Sequence, residues 1–305
     1  MIVVAGESLI DLIVGADGRV EAIPGGGPYN VARTIGRLGH SVAYLGRLST
    51  DRFGQALRER LVRDGVDCRL VQSTDAPTTL AVAELDESGA ATYHFYLDGT
   101  SAPGLSDDGL AEGLPVPAQA LHIGTLGLVL EPMASTLEAL VLGMSHDVVV
   151  MVDPNCRPSA TPDPGALRAR VGRLAARADV VKVSRDDLAF LYPGLAAHDA
   201  AQSLLRGGPS AILVTDGGKE VRAVVQGASI ELPVPQVEIV DTVGAGDAFG
   251  GAFLASWIGR GLGRAELAGR DELGPSVAFA IRVASETVRR AGAEPPNAAE
   301  MDAAV

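Results

Sequence analysis

From Leu121 onward the chain repeats one unit: a short apolar run, a polar or glycine-rich knot, then a segment with helical spacing. Val148 to Val152 runs into Asp153-Pro154-Asn155-Cys156-Arg157-Pro158. Val180 to Val183 runs into Ser184-Arg185-Asp186-Asp187, and Ala211 to Thr215 into Asp216-Gly217-Gly218. Helical stretches intervene at Ser135 to Leu142 and Leu167 to Ala178, and His122-Ile123-Gly124-Thr125 closes a further strand. Apolar runs without polar alternation are strands buried on both faces. The rhythm therefore requires a mostly parallel sheet with helices on both sides, an α/β fold. Polar knots just past the strands mark a binding crevice along one edge of that sheet.

The N-terminal part adds two more strands, Ile2 to Ala5 and Val42 to Leu45, and a helix over Phe53 to Val62 with Phe53, Leu57 and Leu61 on one face. Asp11 falls at the end of the first strand. A different pattern is interleaved. Leu12 to Val14 and Val20 to Ile23 flank Asp17-Gly18, while Leu80 to Leu85 and Thr92 to Tyr96 alternate around Ser88-Gly89. These read as two hairpins, and together they make a small sheet standing off the main body, with Gly99 to Ala102 as the hinge back.

Two glycine-rich stretches carry the chemistry. Gly25-Gly26-Gly27-Pro28-Tyr29-Asn30 opens a helix striped by Val31, Ile35 and Leu38 and closed at Gly39. Three consecutive glycines cost backbone entropy, which close approach of a ligand or a flexible turn would justify. Asn30, one of three asparagines with Asn155 and Asn297, sits in the first turn. The second stretch is Asp241-Thr242-Val243-Gly244-Ala245-Gly246-Asp247. The β-branched run Val237 to Val240 leads in as the end of a strand, and Phe249, Phe253 and Trp257 follow at helical spacing. A small-residue turn feeding a helix start leaves backbone N–H groups for phosphate oxygens. Asp247 would lie beside that anion, where a carboxylate is useful if it takes a proton from an attacking hydroxyl.

Composition excludes several classes. With 47% hydrophobic and 21% charged residues, 305 residues suffice for one large α/β domain with an appendage. The net charge of −13 argues against nucleic acid and anionic membrane as partners. Two cysteines and five scattered histidines form neither a disulfide framework nor a zinc motif. Glu7 interrupts the N-terminal apolar run, no apolar run reaches membrane-spanning length, and a reduced, cytoplasmic protein is expected. Lys219 lacks the Ser/Thr and leading glycine of a Walker A loop, and Gly6-Glu7-Ser8 is not a dinucleotide fingerprint.

Taken together, Gly25 to Ala32 and Asp241 to Asp247 resemble the N- and C-terminal signatures of the ribokinase-like, PfkB-type carbohydrate kinases, and the likeness spans nearly the whole chain. The resemblance implies a three-layer α/β/α core (residues 1–10, 25–76 and 101–305) and a β lid over the sugar (11–24 and 77–100). It implies ATP-dependent phosphorylation of a small sugar. By position, Asp247 is the catalytic base, and Gly244, Ala245 and Gly246 form the anion hole. Asp11, Gly26, Gly27, Asn30, Phe95 and Arg157 would bind the sugar. Ser184, Thr215, Gly217 and Gly292 would border the nucleotide, with Ala291-Gly292-Ala293 also resembling a potassium loop. Ser184 and Asp187 stand where the family often has Asn and Glu, leaving Asp187 to order magnesium through water. Tyr29 replaces a small residue and would line the sugar pocket. Glu7 to Asp11, Tyr93 to Tyr96, His122 to Leu126 and Asp153 to Pro158 look most like fructokinases. The last is also found in 2-keto-3-deoxygluconate kinases, and ribokinase or nucleoside kinase activity is the further alternative. The small sheet's exposed edges suit pairing into a homodimer. The helix dipole is expected to keep Asp247 ionised and weakly basic.

Overall fold

Ile2, Val3, Val4 and Ala5 are all buried, as the unbroken apolar run requires, and form β1 (Ile2–Ala5). In the computed structural model, which describes residues 1–86, 91–107, 110 and 114–303, there follow β2 (Leu9–Val14), β3 (Val20–Gly25), α1 (Gly27–Arg37), β4 (Val42–Leu45), β5 (Arg47–Ser49) and α2 (Arg52–Arg63). Next come β6 (Gln72–Thr74), β7 (Leu80–Leu85), β8 (Ala91–Tyr96), β9 (Ala120–Gly124), α3 (Met133–Gly143), β10 (Val149–Asp153) and α4 (Pro164–Ala175). The chain continues through β11 (Val180–Ser184), α5 (Arg185–Leu191), α6 (Ala197–Leu205), β12 (Ala211–Thr215), β13 (Glu220–Val225) and β14 (Ala228–Pro233). It closes with α7 (Ala245–Gly259), α8 (Arg270–Thr287) and α9 (Ala298–Ala303).

The main sheet has the order β14-β13-β12-β11-β10-β9-β1-β4, parallel from β12 to β4, with β13 and β14 antiparallel at one edge. Alternate residues of each strand feed two cores. Val149 and Met151 pack with α1, α2, α7 and α8 on one face. Val150 and Val152 pack with α3, α4, α5 and α6 on the other. Strands β3-β2-β7-β8 form the separate four-stranded sheet. The Ser88-Gly89 turn lies outside the described residues. No helix among the described residues is long and apolar enough to cross a membrane.

Four local expectations need correction. Asp11 does not end β1; the chain turns at Gly6, and Asp11 lies inside β2 of the small sheet. Val237 to Val240 is not a strand but an open segment in which Ile239 and Val240 are exposed; the edge of the sheet is formed instead by β13 and β14, which the sequence pattern did not announce. Phe53 is exposed; Gly54 takes the inward position with Leu57 and Leu61, packed on the Ser49 backbone. Finally, α7 has no single apolar face. It is buried nearly all round, between α1 and α8.

Candidate active site

The first turn of α7 sets the centre. Gly244 caps the helix at φ 76° with the Ala293 Cα and Cβ packed against it, so a side chain there would be both strained and clashing. Ala245 N–H donates to Thr242 O at 3.3 Å. The amides of Gly246 and Asp247, one turn too early for helical partners, are left to point outward.

Asp247 is buried in this turn. Its Oδ2 accepts from Asn30 Nδ2 at 3.0 Å, bringing the two sequence signatures together across 217 residues. Its Oδ1 accepts from Asn155 Nδ2 at 3.4 Å. Asn155 also donates to Thr125 Oγ1 and accepts from Arg157 Nη1. Thr125 and Asn155 hold left-handed φ values of 52° and 37°, strain gathered at one place. The expectation of a weakly basic Asp247 is reversed. Burial pushes its carboxyl up, and the Asn30 hydrogen bond, Lys182 and Arg157 only partly offset that.

The small sheet delivers Asp11 from above. Its register pairs Asp11 with Ile23 and Ala81, and Ala81 with Phe95, so Asp11 and Phe95 share one face. On that face Leu9, Ala81 and Phe95 pack with Leu126 and Ala160 of the core. Burial pushes Asp11 up to about 6, with Arg157 opposing and Asp247 reinforcing the shift. The glycines answer to close packing. A side chain at Gly25 would strike the Asp11 carboxylate, one at Gly26 (φ 111°) the Glu7 carbonyl, and one at Gly27 Thr125 Oγ1. Tyr29 does not line this site: it is fully buried, donates to Leu57 O and packs edge-on against Tyr44.

Beside the turn opens an apolar cleft of about 280 Å³. Thr215 and Gly217 border it from the end of β12, Ala245 and Gly246 from α7, Ile281 and Ala284 from α8, and Val288 from just past its end. Val237 and Ile239, of the β-branched run, line it too. Gly292 and Ser184 are not on this wall. Gly292 N–H donates to Asp241 Oδ2 at 2.8 Å, bracing the turn. Ser184 and Asp187 form the capping box of α5, and Asp187 Oδ1 accepts from Cys156 N–H at 2.6 Å.

Three features went unread in the sequence. Glu7, buried, accepts from the amides of Gly27 (3.0 Å) and Gly127 (3.1 Å), and burial pushes it up to about 8. Arg33, fully buried, donates to Asp64, Glu294 and Ala293 O, clamping α1 to the loop packed on Gly244. Lys182 pairs with Asp153 at 2.9 Å beneath Gly246. Only Lys182 carried a usable signal, as one of two lysines among 25 basic residues.

The family model for pfkB family carbohydrate kinases matches residues 1–300. The chain belongs to this family. It is therefore a phosphotransferase acting on a hydroxyl acceptor. It is 35% identical to the fructokinase of Rhizobium leguminosarum bv. trifolii over 263 residues, 84% of this chain and 79% of that protein. Among solved structures, it superposes on the ATP-bound fructokinase of Xylella fastidiosa with TM-score 0.88 at 27% identity, covering 99% of this chain and 97% of the other. A double mutant of the Vibrio cholerae O395 fructokinase, bound to fructose, ADP and potassium, gives TM-score 0.87 at 26% identity, again over 99% and 97%.

Proposed function

We propose that this pfkB-family enzyme transfers the γ-phosphoryl group of ATP to a hydroxyl of fructose. The observation that carries this reading is the buried Asp247, held by Asn30 and Asn155 in a helix turn whose free amides adjoin an apolar cleft. The fructokinase relatives support fructose as the acceptor. Asp11 and Asn30 hold the sugar from two sides. Asn30 Oδ1, buried without a partner, is the acceptor kept for a sugar hydroxyl. Asp247 takes the proton of the attacking hydroxyl as its oxygen bonds to the γ-phosphorus and the bond to the ADP oxygen breaks. The amides of Gly246 and Asp247 stabilise the charge on the phosphoryl oxygens. The cleft suits adenine, bordered by Thr215 and Gly217.

Among the described residues no three His, Cys, Asp or Glu side chains cluster to cage a metal. The unpartnered buried Asp153 Oδ1 and the nearby Asp187 suit a hydrated magnesium carried on the phosphates, which needs only one or two carboxylates. Such an ion would supply charge neutralisation between β- and γ-phosphates. The Asp241–Gly292 contact supports a potassium loop beside the turn, as the Vibrio neighbour binds potassium. The β2, β3, β7, β8 sheet acts as the lid that excludes water.

A coupled ADP-release assay with fructose, ribose, 2-keto-3-deoxygluconate and nucleosides, with and without potassium, tests this. Fructose should give the highest kcat/KM. Asp247→Asn should cut kcat by about 10²–10⁴ while keeping fold and ADP affinity. Turnover within a few-fold of wild type would remove Asp247 as the base. ATP binding with no turnover on any acceptor would favour a silent binding protein.

A further inference from the structure

Lys182 stands near the end of β11, on the sheet face covered by α7. Its side chain is 3% exposed. Among the described residues its one hydrogen bond is to Asp153 Oδ2, at 2.9 Å. An ammonium carries three donors, and leaving two of them unmet in the interior is costly unless something else arrives to take them. What lies next to it is the phosphoryl-binding turn. A Cβ built at Gly246 would come within 2.9 Å of Lys182 Nζ, and Gly246 also forms the wall of the apolar cleft. The cation thus sits directly under the free amides of α7. Burial works against its charge, but the carboxylates of Asp153, Asp187 and Asp247 outweigh that and hold its pKa above the ordinary lysine value. The residue type fits the place. Elsewhere this chain uses arginine, with Lys219 the other lysine. A compact ammonium can approach the Gly246 backbone where a planar guanidinium is too wide.

We propose that Lys182 is a phosphate-binding residue of the active site, parked on Asp153 and donating its two free N–H groups to nucleotide phosphate oxygens seated on the Gly246 turn. This rests on the nucleotide site argued above. Lys182 adds to the backbone amides a full positive charge inside a low-dielectric site, where an acidic protein otherwise offers little.

Enzyme labelled with ¹³Cε-lysine gives two lysine signals, assigned with Lys219→Arg. ADP and pyrophosphate should shift the Lys182 signal, and adenosine should not. Lys182→Met should bind ADP at least tenfold more weakly with adenosine affinity near wild type, its Tm lowered by the carboxylate of Asp153 left unpaired, and Lys182→Arg should not restore ADP affinity. A Lys182 signal unmoved at saturating ADP, or wild-type ADP affinity in Lys182→Met, would overturn the proposal. Equal loss of adenosine and ADP affinity would mark a merely structural ion pair and overturn it as well. If Lys182→Met does not fold, the wild-type titration alone decides. Wild-type enzyme that binds neither ADP nor adenosine would instead overturn the nucleotide site, and this proposal with it.

Discussion

Asp247 and Asp11 are both carboxylates, yet the fold gives them different work. Asp247 is buried in a helix turn between two amide side chains, and Asp11 hangs from a strand of the small sheet. Asp11 is raised to about 6, so it loses its proton as pH rises through that value. A sugar hydroxyl needs the ionised form as acceptor. Fructose kcat/KM should therefore climb between about pH 5 and 7 and level off above, since the group stays charged there. Asp11→Asn should remove this limb and raise the sugar KM at least about tenfold, the cost of a charge-assisted hydrogen bond. A limb that persists in the variant would belong to Asp153 or Asp247 instead. At this scale the sequence was informative where a residue was out of character: Asn30 and Asp247 follow glycines that demand an explanation. Glu7 and Arg33 gave no such signal, because a charged residue next to an apolar run reads as a strand end or a helix surface. Their burial comes from elements 20 to 261 residues away.

Helix α7 shows how element and site depend on each other. Its spacing of Phe249, Phe253 and Trp257 predicted a helix, and the helix is there. The apolar residues on its other sides, Ala248, Ala252, Leu254 and Ala255, are equally buried because α1 and α8 cover it. Such a helix is fixed in place, which is what the proposed anion hole at its end requires. Phe253 stacks on Trp257 at 5.7 Å and is fully buried. Phe253→Ala should cost about 3–5 kcal/mol of unfolding free energy, read by denaturant melts. A loss below about 1 kcal/mol would mean that α7 can collapse around the gap. The Val237 to Val240 run illustrates the opposite case. Its β-branched residues fit a strand, but the segment joins no strand of the sheet, and Val237 and Ile239 line the cleft instead.

At the scale of the whole molecule, register decides which face of the small sheet meets the core. Asp11 and Phe95 share one face, and Val82, Val20 and Tyr96 the other. Val20 and Tyr96 are 61% and 59% exposed. This outer face supports the homodimer reading. Sedimentation of the purified enzyme should give a dimer, and Tyr96→Asp should shift it toward monomer; a wild-type monomer at micromolar concentration would end that reading. The sequence by itself determined the βα rhythm, the parallel core and the two glycine turns, because unbroken apolar runs and clustered glycines have few other physical uses. Only the tertiary structure decided that Asp11 approaches from the small sheet, that Asp247 is a raised rather than a depressed carboxylate, and that Lys182 lies under the Gly246 turn. Desolvation and charge proximity depend on neighbours far away in the chain, and no local pattern reports them.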